Sequence, residues 1–182
     1  MEPYQLMDAW REAGEKLVIF SSAVFEGLPV PSEAKAFLGE VGLPASAAPF
    51  LDFTPPKNGV LPTVAQIWRL DDADLLCYYV IGSNGSGDSI AVSPAGAVYY
   101  LNHDAGFRPC YINRDVWTMS EVLLCYRQLV EAALAAGGPD GFLDGAVTPE
   151  STVALRRLLE ARDPQALAEG SMWAEELGAL GG

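Results

Sequence analysis

Residues 75–104 read LLCYYVIGSNGSGDSIAVSPAGAVYYLNHD, three apolar runs separated by two turn sequences. The run from Leu75 to Ile81 is apolar at both odd and even positions, which is typical of a central strand covered on two faces. Ser93-Pro94-Ala95-Gly96 has proline and glycine where a type I turn accepts them, so it predicts a hairpin joining residues 89–93 and 97–102. Because these connections are too short for crossover helices, the stretch predicts an antiparallel sheet.

The flanking sequence extends this sheet on both sides. Val64 to Leu70 is predicted to form a strand, with Asp71 to Asp74 as the turn that follows it, and a last short strand is predicted at Pro109 to Ile112. Residues 49–62 contain four prolines and are predicted to form an ordered loop. The sheet is therefore expected to have about five or six strands.

Helical periodicity dominates the two ends of the chain. Thr118-Met119-Ser120-Glu121 fits a capping box at the start of a long apolar helix that Gly137-Gly138 ends. Thr148-Pro149 and Asp163-Pro164 each place a cap before a proline and open one further helix. The predicted helices span residues 4–13, 34–41, 118–137, about 149–162 and about 164–178. The predicted fold class is α+β, with helices at the N-terminus and on one face of the sheet, plus two C-terminal helices.

The chain is strongly acidic. Its 182 residues include 11 Lys and Arg against 24 Asp and Glu, a net charge of −13, so direct binding to nucleic acid is not expected. The sequence begins Met1-Glu2-Pro3-Tyr4 without a basic leader, and its longest apolar stretch, residues 17–25, is shorter than the ~18 residues of a membrane span. These features predict a cytoplasmic protein with no membrane partner.

The glycine-rich segment Gly82–Asp88 fits no catalytic or metal-binding motif. A phosphate-binding loop would need a lysine after its last glycine, and a calcium loop would need glycine and an acid where Ser89 and Ala95 stand. Asp88 is predicted to point inward and to accept amide hydrogens. The segment is interpreted as a structural loop. Left-handed backbone conformations are accessible to its residues Gly82, Asn84, Gly85 and Gly87.

The single histidine, His103, limits the possible chemistry. Any serine, cysteine or zinc centre would have to use it, and the three cysteines have no paired spacing, so no metal or cofactor is predicted. A hydrogen-bonded structural histidine, sharing a face with Tyr99 and Leu101, is favoured. The alternative is an enzyme with His103 as base beside Asp88 or Asp104.

Acidic and aromatic side chains gather at the predicted strand ends. Such a surface suits a basic protein partner. The predicted partner-binding residues are Trp68, Asp71, Asp72, Asp74, Asp88, Tyr100, His103 and Asp104.

Several strings occur in an order that resembles a known superfamily. They are Leu28-Pro29, PSEAKAFL at residues 31–38, GLP at 42–44, the segment from Ile81-Gly82 to Gly87-Asp88-Ser89-Ile90, VYYLNHD at 98–104 and the helix from Trp117 to Leu134. In this order they resemble the SUKH superfamily, the domain shared by yeast Smi/Knr-type cell-wall regulators and bacterial toxin-immunity proteins. The resemblance covers roughly residues 1–135.

The resemblance implies a binding module without catalytic activity. In bacteria such a module is usually an immunity protein that occludes a cognate toxin domain, often a nuclease or a deaminase, and a basic toxin domain is the expected partner here. The alternative is a general protein-interaction or regulatory scaffold of the same fold. Residues 1–139 are expected to form the SUKH-like domain, and residues 140–182 a helical extension packed on it.

Overall fold

The computed structural model describes residues 3–57 and 59–180 and confirms the predicted α+β class. Within these ranges the α-helices are α1 (Pro3–Glu12), α2 (Ser32–Glu40), α3 (Val64–Trp68), α4 (Val116–Gly137), α5 (Pro149–Arg162) and α6 (Met172–Leu180). The strands are β1 (Leu17–Val18), β2 (Leu43–Pro44), β3 (Ser46–Ala47), β4 (Leu51–Phe53), β5 (Tyr79–Asn84), β6 (Ser89–Val92), β7 (Val98–Asn102) and β8 (Arg108–Asn113).

The main sheet is a six-stranded antiparallel meander in the order β3-β4-β5-β6-β7-β8, and β1 pairs with β2 separately. Each strand of the meander lies beside its neighbour in sequence. The strands from β5 to β8 are joined by the short connections that were predicted, whereas residues 54–78 join β4 to β5. The predicted turn between β6 and β7 is confirmed, since the amide of Gly96 donates to the carbonyl of Ser93 at 2.9 Å. From β5 to β8 the sheet is therefore built from local pairings.

One face of the sheet packs against the helices. Ile81, Ile90 and Val98 are fully buried in the main core, which also contains Met119 and Leu123 of α4. Each such side chain contributes about 1.5–3 kcal/mol through its removal from water. Among the described helices, none has the length and hydropathy to cross a membrane.

The other face is covered by a short segment that the sequence predicted wrongly. Residues 64–70 are not a strand, because Thr63 and Gln66 form a capping box that starts α3: Oγ1 of Thr63 accepts from the amide of Gln66, and Oε1 of Gln66 accepts from the amide of Thr63. Residues Ala73–Cys77 then form a 3-10 turn, so β5 begins at Tyr79 rather than at Leu75. The prediction that this strand is covered on both faces is correct, because Ile81 and Val80 belong to the clusters on opposite faces.

The proline-rich loop and the glycine-rich connection are both shorter than predicted. Residues 49–62 contain β4, because the prolines flank Leu51–Phe53 without interrupting it. Gly82 lies within β5 opposite Phe53, and a Cβ at Gly82 would lie 2.2 Å from the carbonyl oxygen of Asp52. Glycine is therefore required for β4 to pair with β5.

Two helix boundaries also differ from the prediction. Asp115 caps α4 in place of Thr118, because its Oδ1 accepts from the amide of Thr118 at 2.6 Å. The helix predicted at 164–178 is two elements, a 3-10 turn at Pro164–Leu167 and α6, separated at Gly170, whose φ is 79°. Both α5 and the Pro164 turn begin at their prolines, as predicted. The Thr148 side chain caps α5 as predicted, whereas the Asp163 side chain makes no cap hydrogen bond to the Pro164 turn.

A buried carboxylate holds the C-terminal helices on β8. Asp163 is 3% exposed and accepts hydrogen bonds from the Tyr111 hydroxyl, from Nδ2 of Asn113 and from the amide of Arg114. Oδ1 of Asn113 in turn accepts from Nε1 of Trp173 at 2.9 Å. Residues after α5 are thereby joined to the sheet through neutral donors.

We expect Asp163→Ala to lower the free energy of unfolding by roughly 3 kcal/mol, because it leaves the buried Asn113 amide and two partly buried donors without an acceptor. Urea denaturation followed by tryptophan fluorescence measures this change. Asp144→Ala, at an exposed aspartate, is the control and should change the free energy by less than about 0.5 kcal/mol. Equal effects of the two substitutions would contradict the role of Asp163.

Candidate protein-binding surface

The segment that covers the second sheet face is residues 64–77, called here the cap segment. It comprises α3 and the 3-10 turn. Its buried residues Val64, Ala65 and Leu75 pack against the sheet, where they meet Val80, Ala91 and Leu101. This small cluster fixes the side of the segment that faces inward, so its other side faces solvent.

Local hydrogen bonds shape the cap segment. Arg69 ends α3 in the left-handed conformation, with φ at 56°. Asp72 then caps the 3-10 turn, since its Oδ1 accepts from the amide of Asp74 at 2.9 Å. Of the aspartates predicted as a turn between strands, Asp71 and Asp72 therefore lie between a helix and a 3-10 turn, and Asp74 lies within that turn.

Trp68 anchors the cap segment to the sheet. Its Nε1 donates to Oγ of Ser89 at 3.1 Å. Its ring stacks on His103, with centroids 5.0 Å apart, and meets the Phe107 ring edge-on at 5.2 Å. Such aromatic contacts each stabilise by about 0.5–1.5 kcal/mol beyond the area that they bury.

Asp88 orients the imidazole on which Trp68 stacks. Its side chain is buried, as predicted, and Oδ1 lies 2.9 Å from the amide nitrogen of His103 and 2.6 Å from Nδ1 of the ring. Oδ2 accepts from Nδ2 of Asn84 at 2.9 Å, and Oδ1 of Asn84 accepts from the amides of Ser86 and Asp88. One carboxylate thus joins the turn after β5 to the end of β7.

The ionisation of Asp88 follows from these contacts. Burial acts to raise the pKa of Asp88, but hydrogen bonds from the His103 amide, the Asn84 amide and the imidazole outweigh it and hold the pKa below its usual range. The carboxylate is therefore ionised at neutral pH, and Nδ1 of His103 is the donor in the shared hydrogen bond. The predicted hydrogen-bonded histidine at a strand end is confirmed.

The outer side of the cap segment combines apolar and acidic groups. Ile67, Leu70 and Leu76 are 47%, 37% and 51% exposed. Asp71, Asp72 and Asp74 lie between them in sequence and are exposed. The exposed Arg69 adjoins Leu70 in sequence, so three acidic groups and one basic group accompany the apolar side chains. Exposed apolar side chains with charged neighbours are typical of protein-binding surfaces.

The predicted partner-binding residues separate into distinct groups. Trp68 and His103 lie together, with Asp104, 87% exposed, 3.5 Å from Nε2 of His103. Asp88 is buried beneath this pair. Tyr100 packs on the opposite, helical side of the sheet and lines a cavity with Met172.

Some features of this surface were predicted and others were missed. The prediction that His103 shares a face with Tyr99 and Leu101 is correct, because both residues belong to the smaller cluster against which Trp68 packs, and His103 stacks on Trp68. Tyr99 also meets Tyr78 and Tyr111 edge-on. The exposure of Leu76 was missed because it lies in an apolar run typical of a buried strand. The three-residue spacing of Thr63 and Gln66 is typical of a capping box, and it was the sequence signal from which α3 could have been predicted.

Within residues 3–57 and 59–180, no group of three His, Cys, Asp or Glu side chains is arranged to hold a metal ion. The three cysteines are unpaired thiols. Burial raises the pKa of Cys110 and Cys125, which keeps both thiols protonated at neutral pH.

The family comparison agrees with the resemblance found in the sequence. The model of the SUKH-4 immunity protein family matches residues 3–179, nearly the whole chain. No curated protein and no solved structure gave a significant match.

We expect Asp88→Asn to lower the free energy of unfolding by about 1–2 kcal/mol at pH 7, because it removes the charge that holds the imidazole and the His103 amide. Since the folded-state pKa of Asp88 is depressed, its stabilisation is present above the unfolded pKa and is lost as the pH falls through the folded pKa. The difference from wild type should therefore shrink below about pH 4.

Urea titrations between neutral and acid pH measure this difference. Asp71→Asn, at an exposed aspartate, is the matched control and should remain within about 0.5 kcal/mol of wild type. A gap between wild type and Asp88→Asn that stayed constant into strong acid would show that the carboxylate charge is not involved.

Proposed function

Because the chain belongs to the SUKH-4 immunity protein family, we propose that it protects its host by binding a cognate toxin domain and covering the surface with which that toxin acts. Neutralisation is by occlusion and requires no bond making or breaking. The contact surface is the outer side of the cap segment, with Trp68, His103 and Asp104 beside it. We place this encounter in the cytoplasm.

The observation that carries the proposal is the mixture of exposed groups on the cap segment. Three large apolar side chains remain partly in water there, although the segment itself is held by buried contacts. Burial of Leu76 and its neighbours in an interface would recover that apolar area. The three intervening aspartates would then form the acidic surround of the contact.

The charge of this surface indicates the kind of toxin. Nucleases and deaminases that act on nucleic acid present basic surfaces to their substrate. A chain with a net charge of −13 attracts such a surface over long range and speeds the encounter. We therefore propose a basic toxin domain, of the nuclease or deaminase class, as the partner.

Asp88 and His103 have supporting roles in this proposal. Nδ1 of His103 is held by Asp88, and one face of its ring is covered by Trp68. The pair thereby holds the cap segment in place, and we assign it no catalytic step. Tyr100 lies on the other side of the sheet and is outside this contact surface.

We also propose that residues 1–139 form the binding domain and that residues 140–182 are an extension packed on it. The contacts of Asp163 with Tyr111, Asn113 and Arg114 support this arrangement. The extension would then stabilise β8 and α4 without contacting the toxin through the cap segment.

We expect Leu76→Ser to weaken binding at least about tenfold, because it removes an apolar contact from the centre of the interface. The probe is the purified toxin domain encoded next to this gene, and isothermal titration calorimetry measures the affinity. Val153→Ser on α5, where Val153 is 44% exposed, is the matched control and should bind like wild type. Failure of the wild-type chain to bind this domain would overturn the proposed function.

The combined variant Asp71→Asn, Asp72→Asn and Asp74→Asn should associate about tenfold more slowly at low salt and should show a weaker salt dependence. Stopped-flow measurements at several salt concentrations test this. Asparagine at position 72 still offers an acceptor to the 3-10 turn. The control neutralises Glu150, Glu160 and Glu169 as glutamines, which removes the same charge elsewhere and should slow association less. Equal slowing by both variants would place the contact outside the cap segment.

A further inference from the structure

A second surface lies between the β3–β4 hairpin and α6, on the side of the sheet that carries the helices. Two adjoining cavities, of about 550 and 440 Å³, share Pro49, Phe50 and Glu176 in their walls. We call them together the hairpin groove. Its remaining walls include Val130 of α4, Phe142 and Leu143 of the loop after α4, Leu180 of α6 and Tyr100 of β7.

The rim of the hairpin groove is apolar and exposed. Phe50 is 79% exposed and Leu143 is 82% exposed, the two highest values among the described large apolar side chains. Phe50 lies over Gly85, where an added Cβ would come within 3.0 Å of the Cβ of Phe50. The backbone φ of Phe50 is 63°, in the left-handed region that bulky residues rarely adopt. The hairpin therefore holds Phe50 in a backbone conformation that this residue does not favour by itself.

The wall of the groove contains a carboxylate that lacks a cation. Oε2 of Glu176 accepts from the Tyr126 hydroxyl at 2.9 Å. In the part of the chain that the structure describes, no side chain donates to Oε1, and no Lys or Arg lies in the lining of either cavity. Burial raises the pKa of Glu176, the Tyr126 hydrogen bond lowers it and neighbouring Glu175 raises it again, with a net rise.

We propose that the hairpin groove binds an exposed apolar segment of a protein partner that carries an arginine, with the guanidinium on Glu176 and the flanking apolar residues on Phe50 and Leu143. Charge complementarity selects this occupant, because the groove offers Glu175 and Glu176 and no positive charge of its own. Arginine suits the site better than lysine, because its weakly hydrated planar head loses less on entering a partly buried site and its stem packs on apolar walls.

This surface is distinct from the cap segment, and the proposal does not depend on the identity of the toxin. The cap segment lies on the opposite face of the sheet from Tyr100. A partner that used both surfaces would have to reach around the edge of the sheet. The groove is therefore a second docking site, for an arginine-bearing segment of a protein other than the toxin bound at the cap segment.

Two blocked tripeptides serve as probes, one with arginine between two leucines and one with glutamine in the same place. Each is titrated at physiological salt into the isotope-labelled full chain, and backbone amide chemical shifts are recorded. We expect the arginine peptide to shift amides near Phe50, Leu143 and Glu176 and to saturate at millimolar concentration, with at least about fivefold weaker binding of the glutamine peptide.

Two variants and a control test which side chains of the hairpin groove bind the peptides. Glu176→Gln keeps an acceptor for Tyr126 and should abolish the preference for arginine, whereas Phe50→Ser should weaken binding of both peptides. Glu160→Gln on α5 removes the same charge at an exposed site outside the groove and should leave binding unchanged. Shifts scattered over the acidic surface, equal binding of the two peptides or an unchanged preference in Glu176→Gln would overturn the proposal, as would the absence of any shift. Because the probe is a peptide, failure here is separate from failure of the chain to bind its toxin.

Discussion

A single buried carboxylate positions the surface proposed to meet the toxin. Asp88 holds the amide and ring of His103, and Trp68 of the cap segment stacks on that ring. The helical elements of the cap segment are the five residues of α3 and the 3-10 turn. Helices this short are not stable by themselves in water. Its orientation must therefore come from its contacts with the sheet. The outward direction of Ile67, Leu70 and Leu76 therefore depends on the hydrogen bonds of Asp88 to His103 together with the buried cluster under the cap segment.

The two faces of the sheet are covered unequally, and this inequality creates the exposed surface. One face packs against helices through the main core. The other meets the cap segment in a smaller cluster of six buried residues, of which three, Val64, Ala65 and Leu75, come from the cap segment. The cap segment is a thin layer with no further layer of the protein outside it. Its apolar side chains that do not face the sheet are therefore exposed to solvent. Segments with few buried contacts also open at lower free energy than the core. In the proposed complex, the toxin would add a further layer on the outer side of the cap segment.

Much of the fold follows from local sequence signals, whereas the position of the cap segment does not. The antiparallel arrangement of β5 to β8, the turn at residues 93–96 and the starts of α5 and the Pro164 turn were predicted correctly from periodicity, proline and glycine, whereas β3 and β4 were not predicted. Val64 to Leu70 was predicted wrongly because its branched and aromatic residues favour strands, while the deciding signal was the capping box of Thr63 and Gln66. In the candidate site, the inward direction of Asp88 and the hydrogen-bonded state of His103 were predictable. The stacking of Trp68 on His103 depends on the tertiary arrangement of α3, which no local pattern encodes.

The distribution of carboxylates explains how so acidic a chain folds and still attracts a cation. Asp88 and Asp163 are buried, and apart from the His103 ring their partners are backbone amides, side-chain amides and a phenol, which satisfy the oxygens without using scarce lysines and arginines. Among the described ion pairs, Arg127 contacts Glu15 and Glu131, and Arg162 contacts Glu121. The acids of the cap segment are outside these networks, apart from the local cap at Asp72. Neutralising them with a partner's cations therefore disturbs no interior hydrogen bond, so electrostatic attraction to a basic protein does not compete with the stability of the fold.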